Sequence, residues 1–175
     1  LQLKLDKADY QTGELIQMNI VAPYPGAGLI SIESDRVQHF KWFKSNQEST
    51  VQTIRIPEGI KGNAYVNVAF VRDIASKEIF TSPLSYAVQP FSIDKSRYQI
   101  DINLEHEKVV RPGKPMEIRF QTSKPSRIAL FAVNEGILQV AGYQTPDPLG
   151  HFLQKRSLQV GTMQMLDLIL PEFDL

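Results

Sequence analysis

Ala64-Tyr65-Val66-Asn67-Val68-Ala69-Phe70-Val71-Arg72 is the stretch on which the fold reading turns. β-Branched and aromatic residues dominate it, and they suit a pleated, packed surface. The run is too apolar for a solvated edge, so it is predicted to be a central strand. Pro57-Glu58-Gly59-Ile60-Lys61-Gly62-Asn63 precedes it as a turn-rich link. Outward from there, residues 50–56 place Val51, Ile54 and Ile56 among polar neighbours, and residues 28–34 place Ile30 and Ile32 on one face. Leu15–Val21 sets Ile16, Met18 and Ile20 against Gln17 and Asn19, and Leu1, Leu3 and Leu5 alternate with Gln2, Lys4 and Asp6. With residues 83–88 closing the set, about seven strands fall in roughly the first 90 residues, at the turn spacing of a β-sandwich.

The second half begins the pattern again. Tyr98, Ile100, Ile102 and Leu104 alternate as a first strand does, and Val110-Arg111-Pro112-Gly113-Lys114 stands where Tyr10-Gln11-Thr12-Gly13-Glu14 stood. Gly13 precedes Ile16, Met18 and Ile20; Gly113 precedes Met116, Ile118 and Phe120. Ile30-Ser31-Ile32 has its counterpart in Ile128-Ala129-Leu130, and Asp35-Arg36 in Asn134-Glu135. The offset is about one hundred residues, the size of a small sandwich. The last forty or so residues leave the pattern: a short helical turn is predicted near 151–158, and Met163, Met165 and Ile169 read as a further strand.

Composition narrows the function classes. Of 175 residues, 42% are hydrophobic and 22% charged, as in a folded domain rather than a disordered tail. Lys and Arg total 19, as do Asp and Glu. No positive excess is available to track a phosphate backbone or an anionic bilayer, so nucleic acid is not expected. No apolar run approaches the ~18 residues of a membrane span, so direct membrane insertion is not expected. The absence of cysteine excludes disulfides, thiolate nucleophiles and cysteine-ligated zinc within these residues. A start at Leu1 without Met, and an end at Leu175 after an apolar stretch, read as a piece of a longer polypeptide.

Candidate chemistry is sparse. His39, His106 and His151 form no spaced ligand pair. In Glu105-His106-Glu107 the histidine faces away from both glutamates if the segment is extended. Asp35, Asp73, Asp101 and Asp147 sit mostly at turns, where such side chains accept backbone hydrogen bonds. Ser31, Ser34, Ser123 and Ser126 lack a nucleophile elbow, and no phosphate-binding loop occurs. Lys155-Arg156 reads as a solvated basic pair. Phe40 and Trp42 share a strand face around Lys41, with Phe43 adjacent. A stacking platform for sugar or peptide is one reading; core or interdomain packing is the preferred one. No catalytic, cofactor-binding or metal-ligating residue is expected, and no cofactor.

Leu130-Phe131-Ala132-Val133-Asn134-Glu135-Gly136-Ile137-Leu138 is followed by Tyr143-Gln144-Thr145-Pro146-Asp147-Pro148-Leu149 and then Lys155-Arg156-Ser157-Leu158-Gln159-Val160. This ordered series resembles the signature of bacterial α2-macroglobulins, an Ala-Val-Asp-Glu-Gly-Ile-Leu segment, a Lys-Thr-Pro-Asp-Pro-Leu turn and a Lys-Arg-x-Leu-Gly-Val element. Tyr10-Gln11-Thr12-Gly13-Glu14, Ser34-Asp35-Arg36-Val37 and Arg111-Pro112-Gly113-Lys114-Pro115 resemble further family turns. Asn134 departs from the usual Asp, and Gly161-Thr162-Met163-Gln164-Met165-Leu166-Asp167-Leu168 departs from the usual Asp-Leu-Tyr-Gly element.

The resemblance implies an all-β chain of two consecutive antiparallel β-sandwich domains of the macroglobulin type, related to immunoglobulin and fibronectin folds. Residues 1–92 form the first and residues 93–175 the second, which is incomplete at its C-terminus and precedes a bait segment. It implies no enzyme activity but a structural part in a broad-spectrum protease inhibitor of bacterial defence, which presents the bait for protease entrapment. The expected partners are proteases, through the parent protein, and neighbouring macroglobulin domains. The parent is expected in the periplasm, anchored to the inner membrane as a lipoprotein. Residues 170–175 would lie near the entrance of the bait, and the thioester cysteine of the family is not in this chain. An extracellular immunoglobulin-like adhesion or carbohydrate-binding pair is the alternative, with Phe40, Trp42 and Phe43 as its contact.

Overall fold

The computed structural model describes residues 1–77, 80–111 and 113–161. The described residues divide into two compact units: Leu1–Asp94 together with residues 153–161, and Lys95–Phe152. In the first unit the strands are β1 (Gln2–Leu5), β2 (Asp9–Tyr10), β3 (Leu15–Val21), β4 (Gly26–Glu33), β5 (Val37–Ser45), β6 (Ser49–Arg55), β7 (Asn63–Arg72) and β8 (Leu84–Ile93). They make a three-stranded sheet in the order β1-β3-β6 and a five-stranded sheet in the order β2-β8-β7-β4-β5. β7, the apolar run of the sequence, occupies the centre of the larger sheet, as expected.

Period-two alternation decides which residues meet between the sheets. β3 turns Ile16, Met18 and Ile20 inward, each no more than 1% exposed. From the other sheet come Ile30, Ile32, Val66, Val68 and Phe70, all fully buried. Leu1, Leu3 and Leu5 pack against the same cluster. Burying one such side chain contributes about 1.5–3 kcal/mol over leaving it in water, so the one core outweighs any surface ion pair in the unit. Phe70 stacks on Tyr24 with ring centres 6.2 Å apart and lies tilted against Phe43 at 5.5 Å.

One corner of this sandwich is polar and tied. The Tyr10 hydroxyl donates to Asp6 Oδ1 at 2.7 Å, which also accepts from the Gln17 backbone N–H at 3.0 Å. Burial alone would lift the Asp6 carboxyl, but these two donors outweigh it and hold the group below the usual carboxylate range. Burial and the neighbouring carboxylate push the Tyr10 phenol up.

The second unit holds β9 (Ile102–His106), β10 (Ile118–Thr122), α1 (Glu135–Val140), α2 (Pro148–Phe152) and a 3₁₀ turn at Ser96–Tyr98. β9 and β10 pair antiparallel from Ile102↔Thr122 to His106↔Ile118. They repeat the β1 and β3 pairing of the first unit. The preceding turns match as well: Gly13 and Gly113 have φ of 80° and 79°, a region open to glycine and costly to other residues. Glu14 N donates to Gln11 O, and Lys114 N to Arg111 O. The class is all-β, with short helices only at the end of the described chain.

Three expectations change. The helical turn predicted near 151–158 forms earlier, because Asp147-Pro148 starts it. The Gly150 N–H donates to Asp147 Oδ1 at 2.8 Å, the His151 N–H donates to Asp147 O, and Pro148 stands at the first helical position, where its missing N–H costs nothing. Ile128-Ala129-Leu130, counterpart of the β4 core, forms no ladder among the described residues, whereas β4 lies between β5 and β7. Phe40 and Trp42 are exposed at 56% and 69%, while Phe43 is buried. β5 is an edge strand, and its inward parity is set by Phe43 facing Gly28 and Phe70. Met163, Met165, Ile169, Pro112 and residues 170–175 lie outside the described residues.

Candidate functional site

The functional candidate is the outward face of β4 and β7, over which the end of the signature series lies. Ile30 and Ile32 point into the core, so Ser31 and Glu33 point out. They are nonetheless buried, each 4% exposed, as is Asn67 on the neighbouring strand. Register places Ser31 opposite Asn67 and Glu33 opposite Tyr65. The Ser31 hydroxyl donates to Glu33 Oε1, and the Asn67 amide lies 3.4 and 3.5 Å from the two carboxylate oxygens. Asn67 Oδ1 is buried without a hydrogen-bond partner.

Residues 153–161 dock at this place. Asn63 Nδ2 donates to the Arg156 carbonyl at 3.1 Å, and Asn63 Oδ1 accepts from the Arg156 N–H at 2.8 Å. The Tyr65 hydroxyl donates to the same carbonyl at 2.9 Å. Three residues on, the Gln159 N–H donates to the Ser34 carbonyl at 3.2 Å. Leu153, Leu158 and Val160 are half-buried, and the Leu153 backbone runs beside Gly62. Lys155 and Arg156, read from sequence as a solvated basic pair, are both exposed, and Arg156 is held here through its backbone.

The other sequence candidates do not converge. His39 lies on β5, His106 ends β9 with Nδ1 2.8 Å from the Glu107 carbonyl, and His151 lies in α2 against Phe152. Asp35 accepts from Ser34 and Gln38, and Asp73 from the Ala75 N–H. The Asp101 N–H is held by Ser123 Oγ, and Asp147 caps α2. Ser126 Oγ donates to the Lys124 carbonyl. Among the described residues no three His, Cys, Asp or Glu side chains are placed to hold a metal ion, and no helix is long and apolar enough to cross a membrane. An open cleft of about 600 Å³ is lined by Lys7, Glu14, Asp9 and Asp94 among others; its lysine is already paired with Glu14.

The family model of the alpha-2-macroglobulin bait region domain matches residues 1–140, the whole first sandwich and the second unit as far as the end of α1. This chain belongs to the bacterial α2-macroglobulin family. It is 53% identical to the α2-macroglobulin homolog of Yersinia pestis over 173 residues, which cover 99% of this chain and 9% of that protein. It is 49% identical to the α2-macroglobulin of Rickettsia conorii over 172 residues, 98% of this chain and 9% of that protein. Among solved structures it resembles Salmonella α2-macroglobulin reacted with methylamine, with a TM-score of 0.54 and 26% identity over 90% of this chain and 11% of that one. The native conformation of E. coli α2-macroglobulin shares the fold at a TM-score of 0.50, with 23% identity over 86% of this chain and 10% of that one. The chain thus spans about a tenth of the length of these macroglobulins.

The departure at Asn134 has a physical reading. Asn134 is the N-cap of α1, and its Oδ1 accepts the Gly136 N–H at 2.9 Å. Asp performs the same capping, so either residue starts this macroglobulin helix. Asn134→Asp is expected to change helix stability by a few tenths of a kcal/mol at most, and Asn134→Ala to lower it by about 1 kcal/mol. Hydrogen exchange at the Gly136 amide measures the difference; equal exchange in all three proteins would refute the cap.

Proposed function

We propose that this chain is a structural section of a bacterial α2-macroglobulin that traps proteases of broad specificity, and that it holds and presents a downstream bait without catalysing any reaction. The observation that carries the reading is the match to the bait region domain family along most of the chain. A rigid sandwich joined to a cleavable connection is a device for storing and releasing a conformational change. The exposed Ile102, Leu104 and Phe120 of the β9-β10 pair belong to a second sandwich, completed by parts of the macroglobulin outside this chain. The parent works in the periplasm as a lipoprotein of the inner membrane, where it meets foreign proteases.

The test is protease capture by the parent protein with and without residues 1–161. Loss of capture in a deletion variant that keeps its remaining fold supports the reading, and intact capture overturns it. Exposure of Phe40 and Trp42 favours a second reading, a sugar- or peptide-binding module. Glycan binding by this chain that Trp42→Ala abolishes, with capture unaffected, would decide for that module.

A further inference from the structure

The chain after α2 does not stay with the unit it has just built. Residues 153–161 group with Leu1–Asp94, and the contacts are specific. The backbone N–H and C=O of Arg156 are both held by one side chain, Asn63, and the carbonyl takes a second donor from Tyr65. A side-chain amide that pairs with a backbone N–H and C=O together imitates the double bond of a β-bridge. Recognition therefore falls on the backbone, and the Arg156 side chain is not what is read. The second tie, Gln159 N–H to Ser34 O, fixes the direction in which the chain leaves.

We infer that Asn63, Tyr65 and the Ser34 carbonyl form a latch for residues 153–161, so that the downstream chain starts from the first sandwich and not from the second unit that it follows in sequence. The functional meaning rests on the bait reading above: a bait downstream of residues 153–161 pulls against a fixed post on the first sandwich. A cut beyond Gly161 leaves the latch intact, and the stump before the cut stays in place while the chain after it is freed.

The experiment is amide hydrogen exchange across residues 153–161 in the full-length parent protein, comparing wild type with Asn63→Ala and Tyr65→Phe. Both side chains stand on the outward face of β7, away from the core, and Tyr65→Phe removes only a hydroxyl. Asn63→Ala is expected to speed exchange at Arg156 and Gln159 by about tenfold or more, and Tyr65→Phe by less, since one of the three ties on Arg156 is lost. Exchange in β4 and β7 should stay at its wild-type rate, which reports an intact sheet. Wild-type protection at Arg156 in both variants, or no protection there in the wild type, overturns the latch. Because the readout is exchange and not capture, failure of the trap reading would leave this result standing, and failure of the latch would leave the trap reading open.

Discussion

Phe70→Ala is expected to lower the unfolding free energy of the first unit by about 3–5 kcal/mol, a large share of what a domain of this size possesses. Phe70 is fully buried at the centre of the larger sheet and touches Tyr24 on one side and Phe43 on the other. Removing its ring deletes the transfer energy of the side chain and opens a void between two other rings. Tyr24 cannot follow inward to fill it, because its hydroxyl donates to the Ser82 carbonyl at 2.8 Å and lies 2.8 Å from Ser85 Oγ. Phe40→Ala makes the same chemical change at a site 56% exposed and should cost roughly 0.5 kcal/mol or less. The urea midpoint of both variants, followed by circular dichroism, measures the contrast. A Phe70→Ala shift no larger than that of Phe40→Ala would place the core elsewhere.

This pair of phenylalanines also shows what could be read from sequence. β7 is identifiable because a strand covered on both faces reads as a near-continuous apolar run, and 64–72 comes close to one, with Val66, Val68 and Phe70 on the core face and Asn67 buried on the other. β5 is harder. Phe40 and Trp42 share one parity and Phe43 has the other, so counting aromatics favours the wrong face. The deciding fact is the partner across the ladder, where Gly28 leaves room for the Phe43 ring. That is a matter of register, which a single strand does not contain. The latch is less legible still. Asn63 and Arg156 are 93 residues apart, and the contact uses the Arg156 backbone, so no residue type at position 156 announces it. The caps of α1 and α2 are local, with start signals in the adjacent residues Asn134-Glu135 and Asp147-Pro148. The strand repeat nonetheless hides them: it matches Asn134-Glu135 to Asp35-Arg36, and the sequence reading places the second helix near 151–158. Expecting a strand over 128–130 failed for the opposite reason: alternation marks a face, but a ladder needs a neighbour.

Gly28→Ala is expected to destabilise the first unit by about 1–3 kcal/mol, because the added methyl overpacks the core between two rings. A Cβ built there would lie 2.6 Å from Phe43 Cε1, 2.7 Å from Phe70 Cδ2 and 2.8 Å from Phe43 Cζ, distances that real Cβ contacts avoid, so a ring must move. Phe70 is locked within the central strand, whereas Phe43 sits on the edge strand and is 7% exposed. The edge ring is therefore the one that yields, and its displacement is where the cost arises. Phe43→Leu alone should destabilise through lost ring contact. Combined with Gly28→Ala it should cost less than the sum of the two single changes, because the smaller side chain vacates the space that the methyl takes. Contacting residues couple by about 0.5–3 kcal/mol, so a double-mutant cycle on urea midpoints resolves the effect. Additivity within about 0.5 kcal/mol would mean that Phe43 is not what the alanine meets, and the reason for a glycine at position 28 would then have to lie with Phe70 alone.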